Sequence, residues 1–380
     1  MKSRHQNNFD FLRLLFALFV IITHSYTLTG IHYNDGLYQL TNNQITFSRV
    51  GLYGFFTISG YLILQSLNNS NTISEYYIKR VLRIFPGLLV VLLVTSICFS
   101  VLSHRYSIIG YFTLTSEPYT YVLTNFLPFG PFQGTILDTI ENNPYSAYIN
   151  GSIWTLQYEF LFYIVLSSLF FIKEKKLLIK SLLTISFICL YVLRFHEIAF
   201  IYDLVFSPLG LERSTLGSAS QQTDFGMTGF RPFAVIDFGL YFNAGALLSA
   251  FNFSSIRYMP IVASLASLVM IITIALNTYI EFEVFLFPII ILTIGLTNTK
   301  WIGGLNNKIG DLSYGVYIYG FLIQQVLMHF FLLDHLLLTI LTIPIALIAG
   351  FISWNLIEKK AINLKTTIYQ QTQAPTPIHA

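Results

Sequence analysis

Apolar runs of membrane-crossing length recur along this chain, and nothing constrains its fold more. A helix needs roughly 20 mostly apolar residues to cross a hydrocarbon core, because its backbone polar groups must be satisfied within the segment. Ten stretches qualify: about 10–28, 50–68, 84–103, 152–172, 177–195, 232–251, 259–277, 280–297, 312–333 and 336–357. Only 10% of the 380 residues are charged, against about 25% in soluble domains. These features predict an all-α, polytopic integral membrane helical bundle of about ten transmembrane helices over residues 1–365. A polar, proline-containing tail, 366–380, reads as disordered. The fifth run is the weakest, since Lys180 and Arg194 sit near its ends, where long side chains snorkel to the interfaces. The first run follows Met-Lys-Ser-Arg and mimics a signal peptide. No small-x-small cleavage site follows it, so it reads as a retained first helix.

The basic residues orient the bundle. An even number of spans puts both termini on one side. Taken as cytoplasmic, that side holds fifteen of the 21 lysines and arginines, among them Lys2, Arg4, Lys79, Arg80, Arg83, Lys300, Lys308 and Lys365. The other side holds five, Arg49, Arg105, Arg194, Arg213 and Arg231, with Arg13 inside a span. This asymmetry satisfies the positive-inside rule and predicts both termini cytoplasmic. Two outer segments are long. Residues 104–151 carry broken apolar patches too short to span, which suit a re-entrant or interfacial segment packed on the bundle. Residues 196–231, rich in Gly and Ser, read as an outer loop or substrate rim. No internal repeat is visible.

Several function classes are excluded. A net charge of +3 without a basic stripe argues against nucleic-acid binding. Cys98 and Cys189 lie in apolar runs with no CxxC pair, so they read as small buried hydrophobes, and no metal site is expected.

Against this apolar background, a few polar residues stand out. The first span, "FLRLLFALFVIITHS", carries Arg13 and His24. Eleven residues is about three turns, so both project from one face, about 16 Å apart along the axis. Charges within a span face the bundle interior or a wet cavity, which predicts that both line one cavity crossing the membrane. Arg13 also reads as a snorkelling arginine paired with Asp10, and His24 as an interfacial hydrogen-bonded histidine. Ser59-Gly60 in "GFFTISGYLI" lies mid-span, where small residues let helices approach closely. In "KRVLRIFPG", Arg80 and Arg83 share a helical face, with Pro86 in the first turn. Such a pair suits phosphate, or simply marks the cytoplasmic side. Glu159 in "GSIWTLQYEFLFY" sits at a depth similar to His24 and is expected to pair with it, or else to anchor two helices. Trp154 reads as an interface anchor, and Tyr314, in "IGDLSYGVYIYGF", as a cavity-lining position.

These motifs, taken in order, resemble the membrane acyltransferase-3 family, which includes O-acetyltransferases of bacterial surface polysaccharides and Nod-factor acetyltransferases. "FDFLRLLFALFVIITH" is similar to the family's Arg-x10-His first helix and "FFTISGYLI" to its Phe-Phe-x-x-Ser-Gly segment. "RVLRIFP", "WTLQYEFLFY" and "LSYGVYIYGF" resemble its Arg-x-x-Arg, Trp-Ser-Leu-x-x-Glu and Ser-Tyr-x-x-Tyr-Leu stretches. The chain departs where many members carry histidine and it has Gly320, and where Thr155 replaces a frequent serine. With no hydrolase-like domain following, it resembles a stand-alone ten-helix member.

The resemblance implies a multi-pass enzyme of the bacterial inner membrane. It would move an acyl group, usually acetyl, from cytoplasmic acetyl-CoA to a hydroxyl of an extracytoplasmic or lipid-linked glycan, without a metal. On this reading Arg13, Arg80 and Arg83 bind the CoA phosphates. His24 is the general base, or briefly accepts the acyl group, with Glu159 orienting it. Asp10, Ser59, Trp154 and Tyr314 line the cavity. Acyl-CoA, a saccharide acceptor and membrane lipid are the expected partners. Two competing readings are a proton-coupled glycan or lipid exporter using His24 and Glu159 as a relay, and a membrane scaffold.

Overall fold

The computed structural model describes residues 7–31, 34–195, 231–297, 299, 302 and 310–365. The polar segment 196–230 and the tail from 366 lie outside the described residues, as do Lys2, Arg4, Arg213, Lys300 and Lys308 of the basic asymmetry. Among the described residues the chain is all-helical, with no strand.

Each of the ten predicted spans is a helix. They are α1 (Phe9–Leu28), α3 (Phe47–Asn68), α4 (Ile73–Phe99), α7 (Leu156–Ser167), α8 (Lys176–Phe195), α9 (Pro232–Ala250), α10 (Met259–Ala275), α11 (Tyr279–Leu296), α12 (Ser313–Phe331) and α13 (His335–Ser353). Tight 3₁₀ turns, Ile153–Thr155 and Ser168–Ile172, extend α7 at both ends, and a π-helical turn, Trp354–Glu358, follows α13. Shorter helices are α2 (Gly36–Leu40), α5 (Ile108–Thr113) and α6 (Glu117–Phe126). Among the described residues, eight helical stretches are long and apolar enough to cross a membrane, and α10 is shorter at 17 residues. α12 is not among the eight; it carries Gln324, Gln325 and His329. The protein is a polytopic helical membrane protein.

One predicted boundary moves substantially. α4 begins at Ile73 rather than near 84, because Thr72 caps it through Glu75 N while the Glu75 carboxylate reaches back to Asn71 N. Lys79, Arg80 and Arg83 therefore stand on the helix wall, and Pro86 lies in the helix interior, not its first turn.

The core is organised around α3, which packs on α1 and on α9. The contact with α9 is backbone to backbone. A Cβ on Gly60 would meet Phe242 O at 1.8 Å, and one on Gly245 would meet Thr57 O at 2.0 Å. The small-residue reading of Ser59-Gly60 thus describes a real close approach. α12 packs on α1 and α13, and α8, α10 and α13 turn large apolar side chains outward, such as Ile188, Ile271 and Ile348. Cys98 and Cys189 share this outward exposure instead of being buried.

Residues 100–151 form a lobe on the α1 C-terminal end of the bundle, as an interfacial segment would. Asn143 Nδ2 donates to Gln325 Oε1 (2.7 Å), and Asn150 Nδ2 to Ile318 O (2.8 Å), which fastens the lobe to α12. At the same end, Asp35 accepts from Thr23 Oγ1 (2.5 Å), Tyr38 N and Phe47 N, pinning the α1–α3 connection.

A buried ion network closes this end. Glu283 of α11 is fully buried and accepts from Arg49 Nη2 (2.7 Å) and Arg194 Nη2 (2.5 Å). Arg194 Nε also lies 3.2 Å from Asp237, which accepts from the Tyr53 hydroxyl (2.5 Å). Two cations and two carboxylates thus join α3, α8, α9 and α11. Removing one partner of a buried pair costs about 3–5 kcal/mol, because the other charge is left uncompensated. Glu283→Gln is therefore expected to lower the melting temperature of the detergent-purified protein sharply. An unchanged melting temperature would show that the network contributes nothing to stability.

Candidate functional site

Between α1, α3, α4, α7 and α12 lies a cavity of about 570 Å³. Six of the residues singled out in the sequence line it: Arg13, Ser59, Arg80, Arg83, Glu159 and Tyr314. Its mouth is at the end of the bundle where α1 begins, marked by Asn69, Lys79 and Lys365. From there it runs along α3 as far as Leu52, about 25 Å at 1.5 Å per residue. Its far end is bounded by Thr155, Leu156 and Tyr317.

The three arginines are not equivalent. Arg13 Nη1 lies 3.5 Å from Asp10 and 3.7 Å from Asp311. Arg83 is hydrogen-bonded to the same Asp311 and lies 4.0 Å from Glu358. Asp311 is also held by Ser313, whose Oγ donates at 2.5 Å and whose N donates at 3.2 Å. Burial alone would raise the Asp311 carboxyl. Arg83, Arg13 and the Ser313 hydrogen bonds outweigh that and keep it below the usual carboxylate range. A lowered carboxyl keeps its charge at neutral pH, and its stabilisation is lost only as pH falls through that lowered value.

Arg80 differs. Its Nη2 donates to Ser66 Oγ (2.8 Å), and its guanidinium lies 5.6 Å from the Tyr76 ring and 5.7 Å from the Tyr163 ring. Its Nε is buried with no hydrogen-bond partner, and among the described residues no carboxylate lies within ion-pair distance of it. Arg80 is thus a cavity-wall cation without a direct ion-pair partner among the described residues. Lys79 at the mouth is paired with Glu75 (2.7 Å).

Glu159 does not meet His24. It accepts a hydrogen bond from Tyr163, one turn along the same helix, and lies 3.5 Å from Ser59 Oγ, which is itself 3.2 Å from the Tyr163 hydroxyl. The expected pairing fails because the two lie at different depths: Glu159 stands beside Ser59, a turn toward the mouth from Thr155, whereas His24 lies beside Phe321, a turn beyond Tyr317. Glu159 ties α7 to α3 on the cavity wall.

His24 stands apart from the cavity. Its ring is edge-on to Phe321 at 4.9 Å, and its Nδ1 is buried without a partner. Phe321 is one helical turn, about 6 Å, beyond Tyr317 on α12. Arg13 and His24 therefore do share the helix that links the two ends, but the cavity reached from the mouth stops about a turn short of the histidine. Trp154 lies off the main cavity, beside Tyr158 (5.4 Å) and Phe238 (5.7 Å) with Arg231 over its ring, and borders a smaller crevice against α6. Asp10 acts through Arg13 and does not line the cavity. No group of three His, Cys, Asp or Glu able to hold a metal occurs among the described residues.

Sequence reasoning missed Asp311, Glu358, Tyr163 and Tyr317. A charge balance held the signal for the first two: arginines at one depth of a membrane protein require carboxylates. The Glu159–Tyr163 spacing of one turn gave the third.

Comparison with known proteins bears on this geometry. A family model described as an acyltransferase domain matches residues 6–357. An O-acetyl transferase of Shigella phage Sf6 is 28% identical over 369 residues, 94% of this chain and 96% of that protein. Nodulation protein 10 of Rhizobium leguminosarum bv. viciae is 30% identical over 172 residues, 44% of this chain and 45% of that protein. No solved structure matches.

The contrast between the arginines is testable by thermal unfolding in detergent. Asp311→Asn removes the carboxylate that Arg13 and Arg83 share, leaving them the longer contacts to Asp10 and Glu358, and is expected to lower the melting temperature by several degrees, as a loss of about 2–3 kcal/mol would. Arg80→Ala breaks one hydrogen bond to a serine and strands no charged partner, so it should shift it far less. Equal shifts would contradict the distinction.

Proposed function

The chain belongs to the acyltransferase family whose model covers it almost from end to end, and on that premise we propose that it is a membrane O-acyltransferase. It moves an acyl group, most simply acetyl, from acyl-CoA bound at the cytoplasmic mouth to a hydroxyl of an extracytoplasmic or lipid-linked glycan. The full-length similarity to a protein named O-acetyl transferase supports acetyl transfer to oxygen. The positive-inside asymmetry supports a cytoplasmic mouth, and the resemblance read from the sequence supports the bacterial inner membrane.

The observation that carries the donor assignment is Arg80, a half-buried cation without an ion-pair partner among the described residues, which lines a cavity flanked by Lys79 and Lys365. Planar, weakly hydrated arginine is suited to phosphate, so these three residues would hold the CoA phosphates. Arg13 and Arg83, balanced by Asp311, shape the wall and add field. Bound acyl-CoA supplies an activated thioester.

His24 supplies the base. Its Nδ1 makes no competing hydrogen bond, so the imidazole is free to accept the proton of an acceptor hydroxyl from the outer side. In the overall reaction the hydroxyl oxygen bonds the acyl carbon, the carbon–sulfur bond breaks, and the proton leaving the hydroxyl balances the thiolate. Glu159 holds Ser59 and Tyr163 beside the donor's path instead of orienting His24. The exporter reading needed a His24–Glu159 relay, and the hydrogen bonds of Glu159 run elsewhere.

The test is expression of wild type and His24→Ala in a host that lacks the activity, with mass spectrometry of surface glycan before and after mild alkali. Wild type should add alkali-labile acyl mass, and His24→Ala should lower it about 100-fold or more, the range for a lost general base. No added mass from wild type would contradict the proposal, as would full activity of a normally inserted His24→Ala protein.

A further inference from the structure

Two residues that line the far end of the cavity are bonded to each other. Thr155 Oγ1 and the Tyr317 hydroxyl are 2.6 Å apart, and both residues are buried. Thr155 comes from the 3₁₀ turn that opens α7, and Tyr317 from the second turn of α12. Each is the cavity-lining residue of its segment farthest from the mouth. The Tyr317 ring is braced on its other side by Phe55 of α3, edge-on at 5.6 Å. Three segments thus meet on this ring, and apolar Leu52 and Leu156 fill in around it.

Resting on the donor assignment above, we propose that Tyr317, fixed by Thr155, is the residue that limits the length of the acyl group. The argument is one of register. A donor whose phosphates are anchored at Arg80, beside Ser66, extends its arm along α3 toward Phe55 and Leu52. Its acyl end then arrives at the face of Tyr317. Moving that ring aside breaks the hydrogen bond to Thr155 and leaves a buried hydroxyl unpaired, which is costly. It also disturbs packing with Phe55, in an interior with few voids to absorb the change. A longer acyl chain must therefore displace the ring or draw the phosphates away from Arg80, and it binds more weakly either way. Tyr317 acts on the donor's size and takes no part in proton transfer.

The test measures binding rather than turnover, with the full chain in lipid nanodiscs and acetyl-CoA and butyryl-CoA titrated calorimetrically. Wild type is expected to bind acetyl-CoA more tightly than butyryl-CoA. Tyr317→Ala should raise the affinity for butyryl-CoA relative to acetyl-CoA about tenfold, as burying the two extra methylenes implies. Tyr317→Phe keeps the bulk and should keep most of the discrimination. Tyr317→Leu is a second truncation that perturbs packing less, and should admit butyryl-CoA in the same sense. Equal wild-type affinities, or a ratio that neither truncation alters, would overturn the length limit while leaving the donor site standing. Failure of wild type to bind either thioester would instead overturn the donor assignment, and the length limit with it.

Discussion

A charge inside a membrane protein must find a partner, and this rule arranges nearly everything polar in the bundle. An isolated ion in a low-dielectric interior carries a desolvation cost that only an opposite charge with good hydrogen bonds offsets. The chain meets the rule in two layers. At the end where α1 starts, Arg13 and Arg83 share Asp311, with Asp10 and Glu358 alongside. At the other end, Arg49 and Arg194 share Glu283, with Asp237 beside them. Each layer joins helices distant in sequence, so together they fix the positions of α1, α4 and α12 at one end and α3, α8, α9 and α11 at the other. The glycine contact between α3 and α9 supplies the close packing between them.

Against this balance Arg80 is the exception, and the proposed donor site rests on that exception. Its guanidinium lines the cavity with no carboxylate within ion-pair distance among the described residues, held in place by two tyrosine rings and a serine. The cavity has a direction, from a basic mouth past Arg80 and the Ser59–Glu159–Tyr163 group to the Thr155–Tyr317 contact. His24 waits one turn beyond, with a free ring nitrogen. The proposed reaction, with donor and acceptor on opposite sides, needs such a barrier, since an open channel would leak.

The architecture was legible because it follows from solvent: twenty apolar residues have few alternatives to a spanning helix, and the ten expected runs are ten helices. The early start of α4 was missed because a capping box in a polar stretch outweighs hydropathy at that boundary. The site was legible in its cations and depths but not in its pairings. Depth along an axis follows from residue count, so Arg13 and His24 were placed at opposite ends of α1. Depths on different helices do not follow from one helix's residue count, so Glu159 was assigned to His24 when it lies nearer the mouth, beside Ser59. Asp311 sat within a quoted motif, but its role depends on two arginines from other helices converging on it. The outward-facing cysteines show the same limit, since an apolar run does not say which face meets lipid.

The central claim is that donor and acceptor approach from opposite ends of the bundle, and sidedness tests it most directly. Membrane vesicles of defined orientation, carrying the protein and its glycan acceptor, can be given acetyl-CoA labelled in its acetyl group on one face only. The account predicts ester label on the glycan when the thioester is supplied at the face bearing Lys79 and Lys365, and none when it is supplied at the His24 face. Label incorporated only from the His24 face would contradict it.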